Sequence, residues 1–227
     1  MRGVSSAAAF HFLVKDPHAE RQGKEFWLTL RNLPPHFRRF LWGAGLFGLG
    51  DFAHTFMILA ATQLLAPQHG LARAAQFAAL LYVLHNVFYA GASYPVGALS
   101  DRIARHKLLA LGYALGACMA LRFLIAFVRP FASVSWLLVL FALGGSLMGI
   151  QDALEGALTA DLTPQDSRGT AYGVLGTVNG VGDLFASVMV GGLWTAFSPG
   201  VAFGCAAVLM LMGSAVTYNL PERRTSQ

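Results

Sequence analysis

Long apolar stretches, separated by short polar connections, dominate the pattern along this chain. A helix needs about 20 apolar residues to cross a bilayer, and six stretches reach that length without the alternation typical of a β-strand. Pro67, Pro164 and Pro199 fall in the connections as helix terminators. The pattern therefore predicts an all-α membrane protein with six transmembrane helices. The predicted spans are 41–66, 75–99, 108–128, 134–160, 169–196 and 199–219.

The composition fits this prediction. Hydrophobic residues make up 56% of the 227 positions and charged residues only 12%, whereas a soluble domain carries roughly 25% charged residues. The net charge of +5 could suggest nucleic acid as a partner. However, all the basic residues except Arg122 lie in loops and tails, which is typical of a membrane protein.

The distribution of basic residues sets the orientation. Thirteen Lys and Arg fall in the tails and loops of one side, and only Arg73 and Arg129 fall on the other. Loops rich in Lys and Arg stay in the cytoplasm. The sequence therefore predicts an integral, multi-pass protein of the inner or plasma membrane with both termini cytoplasmic.

The residues before the first span form a separate region. Phe26, Trp27, Leu30 and Leu33 recur at helical spacing and stop at Pro34. This spacing predicts an amphipathic helix on the inner leaflet; a linker helix without membrane contact is the alternative. The predicted organisation is a cytoplasmic segment (1–40), a transmembrane domain (41–219) and a cytoplasmic tail (220–227).

A charged turn, GALSDRIARHK (97–107), separates the second and third spans. A glycine there allows close helix approach, and a carboxylate can accept hydrogen bonds from arginines or from a helix N-terminus. The turn resembles the loop motif of the major facilitator superfamily, Gly-x-x-x-Asp-Arg-x-Gly-Arg-Arg. It departs from that motif at Ala104 and His106. The residues predicted to form a cytoplasmic gating motif are Gly97, Asp101, Arg102, Arg105 and, as a second base, Lys107.

Two further stretches carry the same resemblance. Residues 160–184 resemble the start of the eleventh helix of the superfamily, with Pro164, Arg168-Gly169 and Tyr172-Gly173 as recurring elements, and FLVKDP (12–17) resembles the end of the sixth helix. The resemblance implies helices seven to twelve plus the central cytoplasmic linker, which is half of the superfamily fold. It also implies secondary transport of a small solute by alternating access. The other half would be a missing N-terminal half or a second copy.

Polar residues recur at similar depths in four of the six spans. A polar or ionisable side chain near the bilayer centre costs about 2.5–3.5 kcal/mol on insertion scales, so it needs a reason. These four spans correspond to the helices that line the cavity in the family. We predict a substrate or proton path there; a static cluster that holds helices together is the alternative. The residues are Asp51, His54, His85, Asn86, Ser146, Asn179 and Asp183.

Proton coupling is a further hypothesis. Removing a carboxyl group from water disfavours its charged form, so Asp51 or Asp183 could carry a proton, and His54 could relay it. Both carboxyl groups could instead be members of salt bridges. Asp152 and Glu155, one turn apart, could contact the charged turn as gate partners or could simply be solvated, and Arg168 is a third possible gate partner.

Other classes fit less well. An intramembrane serine protease of the rhomboid type also has six spans, and Ser146 and His85 would be its candidate serine and base. However, such enzymes place their histidine in the last core helix, and 199–219 contains none. The sequence shows no phosphate loop or metal-ligand cluster, so we expect no enzyme activity, cofactor or metal. A non-transporting or truncated subunit that needs a partner half remains the alternative function, and the glycine rows 169/173 and 176/180 predict close helix packing.

Overall fold

The structure, a computed structural model, describes residues 33–100, 102–129 and 133–221. The predicted amphipathic helix lies almost wholly outside the described residues, as does Asp101. The described part is helical apart from its connections and a 3₁₀ turn, Gln165–Ser167. The helices are α1 (Pro35–Gly48), α2 (His54–His69), α3 (Leu71–Ser100), α4 (Arg105–Val128), α5 (Val134–Leu162), α6 (Arg168–Ala196) and α7 (Pro199–Tyr218).

Five of these helices, α3 to α7, are long and apolar enough to cross a membrane. They cover the second to sixth predicted spans and extend them by at most a few residues at each end. Local capping explains two of the starts. The Ser133 hydroxyl accepts a hydrogen bond from the Trp136 amide at 3.2 Å, and the Ser198 hydroxyl accepts one from the Val201 amide at 3.2 Å.

The first predicted span is wrong as a single helix. It is divided into α1, of 14 residues, and α2, of 16 residues, by a break at 49–53. A Cβ atom on Gly50 would lie 2.5 Å from the carbonyl oxygen of Ala206, so the backbone of the break touches α7 directly. The apolar composition of 41–66 is uniform enough to hide this interruption.

The end of α2 also differs from the prediction. Pro67 lies inside α2, which continues to His69 and stops at Gly70. Gly70 has φ +74°, the left-handed region that glycine adopts without steric cost. Gly70 is therefore the terminator, and it alone joins α2 to α3.

Glycines let α3 and α5 approach to backbone contact. A Cβ atom on Gly145 would collide with the carbonyl oxygen of His85, and one on Gly149 would lie 2.7 Å from that of Tyr89. On the other side of the bundle, the ring of Phe47 in α1 stacks on Tyr113 of α4 with centroids 3.9 Å apart. Small residues and stacked rings thus set the helix spacing.

The glycine rows predicted in the fifth span do not pack within the described part of the chain. Added Cβ atoms at these positions would meet nothing within 4 Å, and we call this set the open glycine row: Gly169, Gly173, Gly176 and Gly180. The close contact of α6 is made instead by Gly182, where a Cβ atom would lie 3.1 Å from the Gly48 Cα. The rotation of α6, which hydropathy does not reveal, decides which glycines are used.

Candidate functional site

The break between α1 and α2 carries Asp51, which is half-buried. Non-helical backbone at membrane depth is tolerated where it is buried in protein or lines a water-filled cavity. The Asp51 carboxyl has the Gln151 side chain of α5 as a hydrogen-bonding neighbour. It also lies within electrostatic reach of Asp152, Glu155 and Asp183. The break therefore places one carboxyl group close to three others.

Glu155 of α5 is the most enclosed of these acids, with 4% of its surface exposed. The Tyr113 hydroxyl of α4 donates to its Oε1 atom at 2.5 Å. The Asn179 amide of α6 donates to its Oε2 atom at 2.6 Å. One carboxyl group thus joins three helices, and both of its oxygens have donors.

Two imidazole rings lie beside the acids. The rings of His54 in α2 and His85 in α3 meet edge to face with centroids 4.9 Å apart, and Tyr82 stacks on His85 at 5.6 Å. His54 lies within electrostatic reach of Asp152 and Asp183. The rings can therefore accept or donate hydrogen bonds at the edge of the acidic group.

Two acids of the site, Asp152 and Asp183, are exposed. The Tyr89 hydroxyl of α3 donates to Asp152 Oδ2 at 2.7 Å, and Asp183 lies on the exposed side of α6. Together with the residues above they form what we call the polar cluster: Asp51, His54, His85, Tyr113, Gln151, Asp152, Glu155, Asn179 and Asp183.

Two predicted site residues lie apart from the polar cluster. Asn86 is exposed, and its amide donates to the Tyr82 carbonyl of its own helix at 2.8 Å. The Ser146 hydroxyl donates to the Ala142 carbonyl at 2.9 Å and lies in a shallow pocket beside Val87 and Phe88. Both side chains therefore bond to their own helices and not to the polar cluster.

Of the charged turn, the structure describes residues 97–100 and 102–107, so the contacts of Asp101 lie outside it. α3 continues to Ser100, and Gly97 is exposed with nothing within 4 Å of an added Cβ atom, so it makes no close helix approach within the described residues. The Arg105 guanidinium pairs with Asp161 at the end of α5, with N and O atoms 2.8 Å apart. Arg102 and Lys107 are exposed on either side of it.

The predicted gate partners lie elsewhere. Glu155 bonds to Tyr113 and Asn179, and it is buried rather than solvated. Asp152 bonds to Tyr89, and Arg168 begins α6 as a half-buried side chain. The structure therefore gives the α5 contact of the charged turn to Asp161, which the sequence analysis did not single out.

Sequence reasoning missed Tyr113, Gln151 and Tyr89. Gln151 lies one helical turn before Glu155, and Tyr89 one turn after His85, so spacing from the predicted residues could have found both. Tyr113 lies in a span that the family comparison excludes from the cavity. Its hydroxyl could have been recognised as a buried polar group that needs a partner.

A cleft of about 460 Å³ lies between α1 and α6. Its walls are mostly apolar and include Trp42, Leu46, Val178 and Val181, with Gly182 beside the polar cluster. No group of three or more His, Cys, Asp or Glu side chains that could hold a metal ion occurs among the described residues. The arrangement can bind protons and hydrogen-bond donors next to an apolar surface.

Five helices that are long and apolar enough to cross a membrane, with ionisable side chains gathered between the helices, indicate an integral membrane protein. The family model described as Major Facilitator Superfamily matches residues 40–227. The chain therefore belongs to the major facilitator superfamily.

Similar proteins include transporters and resistance proteins. An uncharacterized MFS-type transporter of Methanocaldococcus jannaschii is 32% identical over 211 residues, which is 92% of this chain and 51% of that protein. The class C tetracycline resistance protein of Escherichia coli is 35% identical over 50% of this chain and 27% of its own length. The class E tetracycline resistance protein of Escherichia coli is 32% identical over 57% of this chain and 29% of its own length. The chain thus spans about half the length of the archaeal relative.

Proposed function

We propose that this chain is the C-terminal six-helix half of a secondary transporter, and that it moves a small solute by alternating access. The observation that carries the proposal is the polar cluster, in which polar and ionisable side chains from five helices and a helix break meet inside an apolar bundle. Such residues are costly in a membrane and mark solute or ion paths.

A second six-helix bundle would complete the path. The two halves of superfamily transporters are related by an axis along the membrane normal, with the substrate site between them. The exposed acids Asp152 and Asp183 and the open glycine row leave α5 and α6 with surfaces that such a bundle could cover. Either an N-terminal half or a second copy would enter the membrane in the required orientation, with both termini cytoplasmic.

Proton coupling belongs to the same proposal. Asp51 lies within reach of three other carboxyl groups and of a hydrogen-bonding amide. Asp183 lies beside His54. A proton held by Asp51 or Asp183 could pass to water through the imidazole, which exchanges protons near neutral pH.

The tetracycline resistance relatives suggest the first solute to test. We would reconstitute the chain in liposomes and measure accumulation of tetracycline under an imposed pH gradient. If a second copy completes the path, we expect accumulation above that of protein-free liposomes, and its loss in Asp51→Asn or Asp183→Asn. Asp166→Asn is the matched control, because Asp166 is exposed in the 3₁₀ turn away from the polar cluster.

Two outcomes would count against the proposal. Full gradient-driven accumulation in both Asp51→Asn and Asp183→Asn would remove proton coupling through these acids. No accumulation by the chain alone, followed by accumulation once a separate six-helix half is added, would favour a subunit that does not transport by itself.

A further inference from the structure

Glu155 is enclosed in a way that the proposed transport path does not explain. Asp51 is half-buried and Asp183 is exposed. Glu155, in contrast, is 4% exposed, and each of its carboxyl oxygens accepts a hydrogen bond. Within the described residues no arginine or lysine forms an ion pair with it. A buried carboxylate without a countercharge is costly in a medium of low dielectric constant, and a bound proton removes that cost.

The groups that face Glu155 are acidic or neutral. Asp152 lies one turn before it on α5, and Asp51 faces it from the break. Tyr113 faces it from α4 and Asn179 from α6, and Asp183 lies beyond them next to Asp51. From α3, Tyr89 reaches the group through Asp152. Two carboxyl groups that share such a site do not readily both hold a full charge.

Gln151 links Asp51 and Glu155, and its side-chain oxygen accepts no hydrogen bond within the described residues. Its side chain is 7% exposed and is a hydrogen-bonding neighbour of both Asp51 and Glu155. Its Oε1 atom has no hydrogen-bond partner within the described residues. A buried carbonyl oxygen without a donor is costly, and a protonated carboxyl group would supply the missing O–H.

The partners of Glu155 suit both of its protonation states. The Tyr113 hydroxyl can donate to a carboxylate, or it can rotate and accept from a carboxylic acid. The amide of Asn179 can also present either its nitrogen or its oxygen. The hydrogen-bonding needs of Glu155 are therefore met both with and without a bound proton. A group with a purely structural role needs partners for one protonation state only.

We propose that Glu155 binds and releases a proton, and that Tyr113, Gln151 and Asn179 are positioning residues for that exchange. The inference rests on the proposed transport function and adds a proton-binding group to it. Since Asn179 belongs to α6 and Glu155 to α5, proton binding at Glu155 would depend on where α6 lies.

Infrared difference spectroscopy of the lipid-reconstituted chain tests this without a solute or a gradient. A pH titration follows the carbonyl stretching band of a protonated carboxyl group. Asp51 and Asp183 can also give such a band, so we follow the component that persists in Asp51→Asn and Asp183→Asn. We expect that component in the unmodified chain, its loss in Glu155→Gln, and no change of it in Asp166→Asn. Tyr113→Phe and Asn179→Leu should keep the band but move its frequency and its pH midpoint, which a merely structural role would not do.

Each other result would overturn the proposal. A Glu155→Gln spectrum identical to that of the unmodified chain means that no proton is exchanged there. A band that is lost in Glu155→Gln but constant with pH means a permanently bound proton. If Glu155→Gln fails to fold, the two positioning variants decide, since unchanged midpoints in both would contradict the proposal. Titration without tetracycline accumulation would instead remove only the transport function.

Discussion

At the scale of single residues, one carboxyl group organises the centre of the bundle. Glu155 accepts hydrogen bonds from α4 and α6, while its own helix supplies Gln151 as a link to Asp51. Removing one partner of a buried hydrogen bond leaves the other group unsatisfied, which costs about 1–3 kcal/mol, whereas a typical hydrogen bond contributes about 0.5–1.5 kcal/mol. Tyr113 should therefore matter more to stability than a tyrosine that bonds to a backbone carbonyl.

Tyr113→Phe should lower the free energy of unfolding by about 2 kcal/mol, because a fully buried donor to Glu155 is lost. Tyr172→Phe is the matched control, since the exposed Tyr172 hydroxyl donates to the Gly156 carbonyl at 3.0 Å. Its cost should be about 1 kcal/mol or less. Thermal unfolding in detergent, followed by size-exclusion chromatography, would rank them; equal losses would contradict the role given to Tyr113.

Depth along a helix could be predicted from the sequence, but direction around it could not. Counting residues brought Asp51, His54 and Asn179 to one level, and the structure brings them into one cluster. The same count included Asn86 and Ser146, which bond to their own helices. The position of a residue within one span gives its depth along the helix. The direction of its side chain around the helix depends on how the neighbouring helices pack.

At the scale of helices, contact between α3 and α5 depends on two glycines. A Cβ atom at Gly145 or Gly149 would enter the backbone of α3. Overpacking that cannot be relieved by a flexible side chain costs about 1–3 kcal/mol or more. The open glycine row of α6 offers the opposite case, because nothing within the described residues lies near it.

Gly145→Ala should destabilise the bundle by about 3 kcal/mol or abolish its folded yield, since the added methyl group meets the His85 carbonyl oxygen. Gly192→Ala, outside the open glycine row, makes the same chemical change in open space and should leave stability unchanged or raise it by up to about 1 kcal/mol, the gain of alanine in a helix. Folded yield and thermal midpoint of the two variants would be compared. Similar losses in both would contradict the packing described.

Hydropathy predicted five of the helices because their length and apolar content suffice. It failed at 41–66, where composition is uniform but Gly50 meets the α7 backbone and the helix stops. The failure matters for the site, because the break is where Asp51 lies. The interruption of this helix depends on its contacts with another helix, and the hydropathy of a single segment carries no information about such contacts.

At the scale of the whole molecule, the chain belongs to a superfamily but spans about half of its archaeal relative. The open glycine row lies on α6, a helix that shares only part of its surface with the bundle. Rows of small residues allow backbones of separate helices to approach closely. Under the proposed function, this row is where a second bundle would pack.

If the partner is a second copy, a large side chain on the open glycine row should separate the two. We expect the purified chain in lipid nanodiscs to have the mass of two copies, and Gly176→Trp to have the mass of one. Val208→Trp on α7 is the control, because Val208 is 57% exposed but lies away from the row. Native mass spectrometry gives the masses. A transport-competent chain that is always single would contradict pairing of copies.

The one-residue connection at Gly70 limits how this bundle can deform. Because only Gly70 separates His69 from Leu71, α2 and α3 form a hairpin whose ends stay together there, whatever angle the two helices make. At its other end α2 meets the non-helical residues 49–53, whose dihedral angles can change without breaking a helix. A change in the angle between α1 and α2 would therefore turn at those residues, which include Asp51.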